Sequence, residues 1–294
     1  MMATKTYPVL VLCGRDPKRR KLLRVHDPEG KYPSKALLPM LGKRVIDWQL
    51  EALQASSYVG DIFLLGLTQS DYPIKEPIQH IPIDTTSTIM EKISAGSKVI
   101  SKNYPDLKHI IISTGDTPAI TTKSIDLFFR ELIQHSDADV LLTGVPEDIT
   151  LEVFPDHGRV VGRFKDQDIY LGEMFALRYD ILPVLEEEID QLATRRRQIN
   201  RRANTSKFGP ILRYLARKPG LWLMIIKYLR GTLTLDELES TLSKTYKLNI
   251  KTTIIPDPGF GMDLDLPEDY QKLSDYIRQT KLSSISESTT KYNS

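Results

Sequence analysis

Four short segments of the chain carry residue types and spacings that can do chemistry. The first is Leu12-Cys13-Gly14, which closes a compact apolar run and leads into Arg15-Asp16-Pro17-Lys18-Arg19-Arg20-Lys21. A glycine directly after a buried strand lets the backbone approach a ligand closely. Five cations in seven residues can neutralise phosphate charge; a solvated basic loop is the alternative. The second is Pro33-Ser34-Lys35-Ala36-Leu37-Leu38-Pro39, followed by Leu41-Gly42. A lysine held among apolar residues before a helix is partly desolvated, so it acts as a strong point charge for a phosphate. A surface lysine in a proline-rich turn fits the same letters.

The third segment is Ser113-Thr114-Gly115-Asp116-Thr117-Pro118 and the fourth Gly261-Met262-Asp263-Leu264-Asp265. Mg²⁺ takes one or two protein carboxylates and fills its other positions with phosphate oxygens and water. Asp116, at the end of a hydrophobic run, is placed for that, although a turn or helix cap uses the same residue. Asp263 and Asp265 supply further carboxylates, and on an extended chain they face one side. One of them is expected to complete a metal site with Asp116, and the other to cap the helix opening at Pro267. The five histidines (His26, His80, His109, His135, His157) show no pair at metal-ligand spacing. They read as structural or surface groups.

The elements that must position these residues follow from periodicity. Residues 9–13, 62–67, 109–113 and 138–145 read as buried strands. Residues 43–55, 85–101 and 122–135 read as amphipathic helices between them, the alternation expected of a mostly parallel sheet with crossover helices. A long polar loop spans 14–34. In the second half, 158–164 and 169–177 read as strands flanking a turn at 165–168, and 181–246 as an almost continuous helical insert. A last strand, 250–255, precedes the aspartate pair, and Pro267-Glu268-Asp269 opens a final helix. Residues 1–280 are expected to form one domain, and the Ser/Thr-rich end, 281–294, to be disordered. In open α/β sheets ligands bind at the carboxyl ends of strands, where these loops lie.

Bulk properties narrow the function classes. A net charge of +2 is too balanced to argue for a nucleic-acid binder. A single cysteine, Cys13, excludes an intrachain disulfide framework and a cysteine-rich zinc site. The N-terminal apolar run is too short for a signal peptide. The longest apolar run, 221–226, is far below the ~20 residues of a membrane span. A soluble cytoplasmic protein is expected.

Taken in order, strand-Leu12-Cys13-Gly14, Lys35-Ala-Leu-Leu-Pro, Gly115-Asp116-x-Pro118 and Asp263-x-Asp265-x-Pro267-Glu268-Asp269 resemble the NTP-transferase family. That family includes molybdenum-cofactor guanylyltransferase-like enzymes and sugar-phosphate nucleotidylyltransferases. The likeness covers roughly residues 7–145 and 250–279. It implies a Rossmann-like, GT-A-type sheet with flanking helices, here carrying a helical insert. It further implies Mg²⁺-dependent transfer of NMP from an NTP to a phosphorylated acceptor (sugar, polyol, lipid-precursor or cofactor phosphate), releasing pyrophosphate. By position, Leu12, Cys13, Gly14, Arg15, Lys35, Thr88 and Gly115 would hold the nucleotide. Lys35, Arg19 and Asp116 would serve catalysis, Asp116, Asp263 and Asp265 the metal, and Gly172 and Glu173 the acceptor.

The first loop departs from the family pattern. Gly14 is followed by Arg15 with no second glycine, and 22–31 are inserted before the lysine motif. A non-catalytic nucleotide-binding homologue therefore stays open, as does a nucleotide-sugar glycosyltransferase. The second half holds a basic run, with nine Lys/Arg and no acid over 195–218, followed by Leu221-Trp222-Leu223-Met224-Ile225-Ile226. It reads as a solvated helical face, as a lid over an anionic acceptor, or as a peripheral contact with an anionic membrane.

Overall fold

The computed structural model describes residues 6–74, 77–155, 158–183 and 215–282. In chain order the elements are β1 (Tyr7–Leu12), α1 (Lys21–His26), β2 (Pro39–Met40), β3 (Lys43–Arg44), α2 (Val45–Gln54), β4 (Val59–Leu65), β5 (Ile78–His80) and α3 (Ile89–Asn103). There follow β6 (His109–Thr114), α4 (Thr122–Gln134), β7 (Val140–Pro146), α5 (Glu147–Val153), β8 (Val161–Arg163), β9 (Asp168–Leu171) and β10 (Met174–Arg178). Beyond them come α6 (Trp222–Leu229), α7 (Leu235–Tyr246), β11 (Ile250–Ile254) and α8 (Pro267–Ile277).

The main sheet runs β5-β4-β1-β6-β10-β7-β9-β8, with β11 also paired to β7. The strands of the first half pair in parallel, β1 between β4 and β6, as continuous apolar runs covered on both faces should. Alternation along β1 shows the layering. Val9 and Val11 pack with Ile46 and Leu50 of α2 and Phe128 of α4, whereas Leu10 packs with Met90 and Ile93 of α3. The result is an α/β, Rossmann-like sheet of mostly parallel strands with helices on both sides. Among the described residues, antiparallel pairing in this sheet enters with β8, β9 and β10.

Several local expectations are corrected. The strand expected over 169–177 is two strands, β9 and β10, parted at Gly172-Glu173. A Cβ at 172 would lie 2.3 Å from Thr143 Oγ1, so only glycine lets this segment pass so close to β7. Past the break, β10 pairs with β6 as well as β7. The helix expected from 85 starts four residues later. Thr88 caps α3 by accepting from Glu91 N, and Glu91 in return accepts from Thr88 N at 2.6 Å. The polar loop of 14–34 contains α1, whose Leu22 and Leu23 are buried against α8 and β2 residues. In the insert, the described part is α6 and α7, separated at Gly231-Thr232; residues 184–214, with most of the basic run, lie outside the described residues. No helix among the described residues is long and apolar enough to cross a membrane.

Lys281, assigned to the tail from sequence, docks on the body of the protein instead. It lies in a helical turn, Arg278–Leu282, and donates to Pro118 O at 2.9 Å and Ile120 O at 2.7 Å. Residues 283–294 lie outside the described residues. Burial pushes the Lys281 ammonium down to about 8, against the pull of Asp257 and Glu51 and with Lys43 adding to it. The folded protein thus releases this proton at lower pH than the unfolded chain, whose lysine titrates near 10.5. Between these values the unfolded chain binds more protons, so stability rises with pH. Urea denaturation of Lys281→Met at pH 7.5, 9 and 10 is expected to lack that rise relative to the parent. Parallel curves for the two proteins would refute it.

Candidate active site

The site forms where β1 and β6 end side by side. Leu12 pairs with Thr114, and Gly115 N donates to Leu12 O at 2.9 Å. A Cβ at Gly115 would lie 2.4 Å from Cys13 Sγ, so this close junction requires glycine. It sends the next residue, Asp116, across the top of the sheet. The segment after β11 arrives at the same place through a 3-10 turn, Pro258–Gly261. Leu264 N then donates to Asp116 O at 2.9 Å, tying the two loops together.

Asp116, Asp263 and Asp265 consequently converge, with one carboxylate oxygen from each lying within 4.8 Å of the others. The extended geometry expected from sequence thus brings both later aspartates to Asp116. Neither caps the final helix. That task falls to Asp269, whose Oδ2 accepts from Leu266 N at 2.8 Å and Asp265 N at 3.2 Å. The donor set suits a hard divalent cation: three carboxylates, with a buried oxygen, Asp116 Oδ1, that has no hydrogen-bond partner.

Two cations balance this cluster. Lys35 stands on a 3-10 turn, Lys35–Leu37, whose N-cap Ser34 accepts from Ala36 N. Its Nζ lies 2.6 Å from Asp116 Oδ2 and also contacts Asp265 Oδ1. Burial works against its charge, but Asp116, Asp265 and Asp263 outweigh that and hold the ammonium well above the ordinary lysine range. Burial likewise pushes the Asp116 carboxyl up; Lys35 pulls it back, and Asp263 and Asp265 add to the rise.

Arg159 is the second cation, and sequence reasoning missed it. It is 6% exposed. Its Nη2 contacts Asp263 Oδ1, and its Nη1 lies 3.9 Å from Glu173 Oε1. Its Nε reaches Met262 Sδ at 3.0 Å. Nothing in Gly158-Arg159-Val160 marks this residue in sequence. Lys92 was also missed, although a signal existed, since it falls one turn before Gly96 on the apolar face of α3. It is buried, and its Nζ donates to Cys13 O at 3.0 Å.

The remaining candidates divide. Gly14 is exposed, with open space above it. Cys13 is buried, and burial followed by Asp116 pushes its thiol up, which disfavours the thiolate. Thr88 is exposed at the start of α3, one helical turn from Lys92. Arg15 pairs with Asp71, which also accepts from Thr68 Oγ1 at 2.7 Å. Arg19, expected to serve catalysis, is committed to the loop itself: its guanidinium pairs with the buried Asp27 at 3.0 Å. Gly172 and Glu173, expected to contact an acceptor, are both buried. Gly172 packs against Thr143, and Glu173 accepts from Thr114 Oγ1 at 3.1 Å while facing Arg159. Among the histidines, His80 and His109 bond backbone carbonyls, and His26 stacks on Tyr270.

The fold is similar to those of several solved transferases. A hypothetical transferase from Thermus thermophilus matches 90% of this chain and 99% of its own, at TM-score 0.65 and 21% identity. CMP:2-keto-3-deoxy-manno-octonic acid synthetase, solved with CTP, matches 93% of this chain and 99% of its own, at TM-score 0.52 and 13% identity. A nucleotidyl transferase from Methanothermobacter thermautotrophicus matches 94% and 99%, at TM-score 0.50 and 14% identity. No family model matches the chain, and no curated protein matches it in sequence.

Proposed function

We propose that the protein is a nucleotidyltransferase of the 2.7.7 type. It moves a nucleoside monophosphate from an NTP to a phosphorylated small-molecule acceptor and releases pyrophosphate. The observation that carries this reading is the convergence of Asp116, Asp263 and Asp265 with Lys35 at the carboxyl ends of β1 and β6. Its support from comparison is the shared fold of solved transferases, one of them a CTP-bound synthetase.

In this reading an acceptor phosphate oxygen attacks the α-phosphorus, a new P–O bond forms, and the bond to the departing pyrophosphate breaks. Such chemistry needs positioning and charge neutralisation rather than a nucleophilic side chain. Mg²⁺ held by Asp116 and Asp265, with Asp263 steadied beside them by Arg159, supplies charge neutralisation when bound. Lys35 contributes a fixed positive charge for the triphosphate, and the open backbone at Gly14 leaves room for the nucleotide.

A screen of pyrophosphate release over the four NTPs, with a panel of sugar, polyol, lipid-precursor and cofactor phosphates, tests the proposal. Release that requires both Mg²⁺ and one acceptor is expected. The commitment of Arg15 and Arg19 to Asp71 and Asp27 favours one rival, a nucleotide-binding protein without turnover. NTP-dependent stabilisation with no pyrophosphate from any acceptor would select it.

The acceptor reading extends to α6. This helix exposes Trp222, Leu223, Ile226 and Leu229, which share one face at helical spacing. Arg217, Lys218 and Arg230 stand beside them in the chain. An anionic membrane surface carrying the acceptor complements that combination. Co-sedimentation with phosphatidylserine vesicles but not phosphatidylcholine vesicles is expected, and equal recovery in both supernatants would dismiss it.

A further inference from the structure

The position of Lys35 has a consequence for the order in which ligands enter the site. Its ammonium lies between Asp116 and Asp265, the two candidate metal ligands that Arg159 does not grip. The carboxylates in ion-pair contact with Lys35 and Arg159 number four: Asp116, Asp265, Asp263 and Glu173. Set against two cations, they leave a formal charge of −2 in this cluster, so its charge still favours a further cation. A metal ion and an ammonium that both contact Asp116 and Asp265 repel each other, and the repulsion is strong in a poorly solvated niche.

The two cations also differ in their freedom. Arg159 is enclosed, with a side chain 5% exposed. The Lys35 side chain is 21% exposed, and its partner Asp265 31% exposed. Lys35 therefore has an outlet to solvent.

We propose that Lys35 is a tethered internal cation that occupies the carboxylate cluster before substrate arrives and gives way only when a divalent ion and a triphosphate enter together. This rests on the metal-dependent transferase reading and adds a binding order to it. A bare divalent ion must expel the ammonium without offering it a new partner, so it binds weakly. A metal–nucleotide complex offers the displaced ammonium its phosphates, so metal and nucleotide bind with positive coupling. Lys35 is then both the block to premature metal binding and a phosphate ligand, and removing it moves the two affinities in opposite directions.

The test is calorimetry of Mn²⁺ alone, and of each NTP with Mg²⁺, on the parent, Lys35→Met and Lys35→Arg. Lys35→Met is expected to bind Mn²⁺ about tenfold tighter than the parent, within the range common for coupled sites. It is expected to bind Mg–NTP more weakly. Lys35→Arg, which keeps the charge, is expected to hold Mn²⁺ affinity near the parent value. If Lys35→Met does not fold, Lys35→Gln is read in the same way. Equal or weaker Mn²⁺ binding by the uncharged variant overturns the proposal while leaving the transferase reading intact. Absence of Mn²⁺ binding in every protein, with no Mg²⁺ effect on NTP affinity, removes the metal reading itself and the proposal with it.

Discussion

Asp116→Asn is expected to lower NMP transfer by about 10²–10³-fold, the loss typical when one preorganised electrostatic stabiliser is removed. The fold should survive unharmed. Asp116 shares a confined space with two other carboxylates, and burial already disfavours its charge. An amide of the same shape removes like-charge repulsion, keeps the backbone tie from Asp116 O to Leu264 N, and leaves Lys35 with Asp265 as a partner. The melting temperature is therefore expected to hold or rise as turnover collapses. Pyrophosphate release under saturating NTP, paired with thermal denaturation, reads both. Parent-like turnover in the amide variant would place the chemistry elsewhere.

Arg159→Leu is expected to act in the opposite sense, chiefly on stability. Removing one partner of a buried ion pair costs about 3–5 kcal/mol, because the remaining charge is left uncompensated. Here two acids, Asp263 and Glu173, would lose their cation. The leucine also loses the hydrogen bond to Asp263 O and the contact with Met262. Arg159→Lys should recover only part of the loss, since a single ammonium cannot reproduce the fork that grips both acids. Chemical denaturation of the three proteins measures this. A change below 1 kcal/mol for the leucine variant would contradict the role given to Arg159.

These two residues show what can be read from sequence and what cannot. Asp116 stands at the end of an unbroken apolar run, β6, so the strand and its chemically loaded exit announce each other. The Asp263 and Asp265 pair was readable for a related reason: alternation on an extended segment is a local property. Arg159 belongs to no periodic element, and its importance comes entirely from tertiary packing under Asp263. The break at Gly172-Glu173 was hidden because the residues on either side suit a strand, and the reason for the break lies 29 residues earlier, in Thr143. The pairing of Arg19 was not legible because a cation-rich loop looks the same whether a charge faces a ligand or, as for Arg19, an internal aspartate. The parallel half of the sheet was the most legible part, since its strands are short apolar runs separated by helices of clear period.

The tie between Asp116 and the segment at 263–265 has a further meaning for how the molecule comes into being. Residues 148 positions apart must meet before three carboxylates share one place, and such distant contacts pay their loop-closure cost late. During synthesis β1, β4 and β6 can be complete, and their strand ends formed, while two of the three acids are still unmade. Lys281 then fastens the loop beyond Asp116 from a position later still. A growing chain can thus present the scaffold of the site without two of its acids. On the proposed reading, competence to bind a metal–nucleotide complex then waits for the segment through Asp265 to be made and docked.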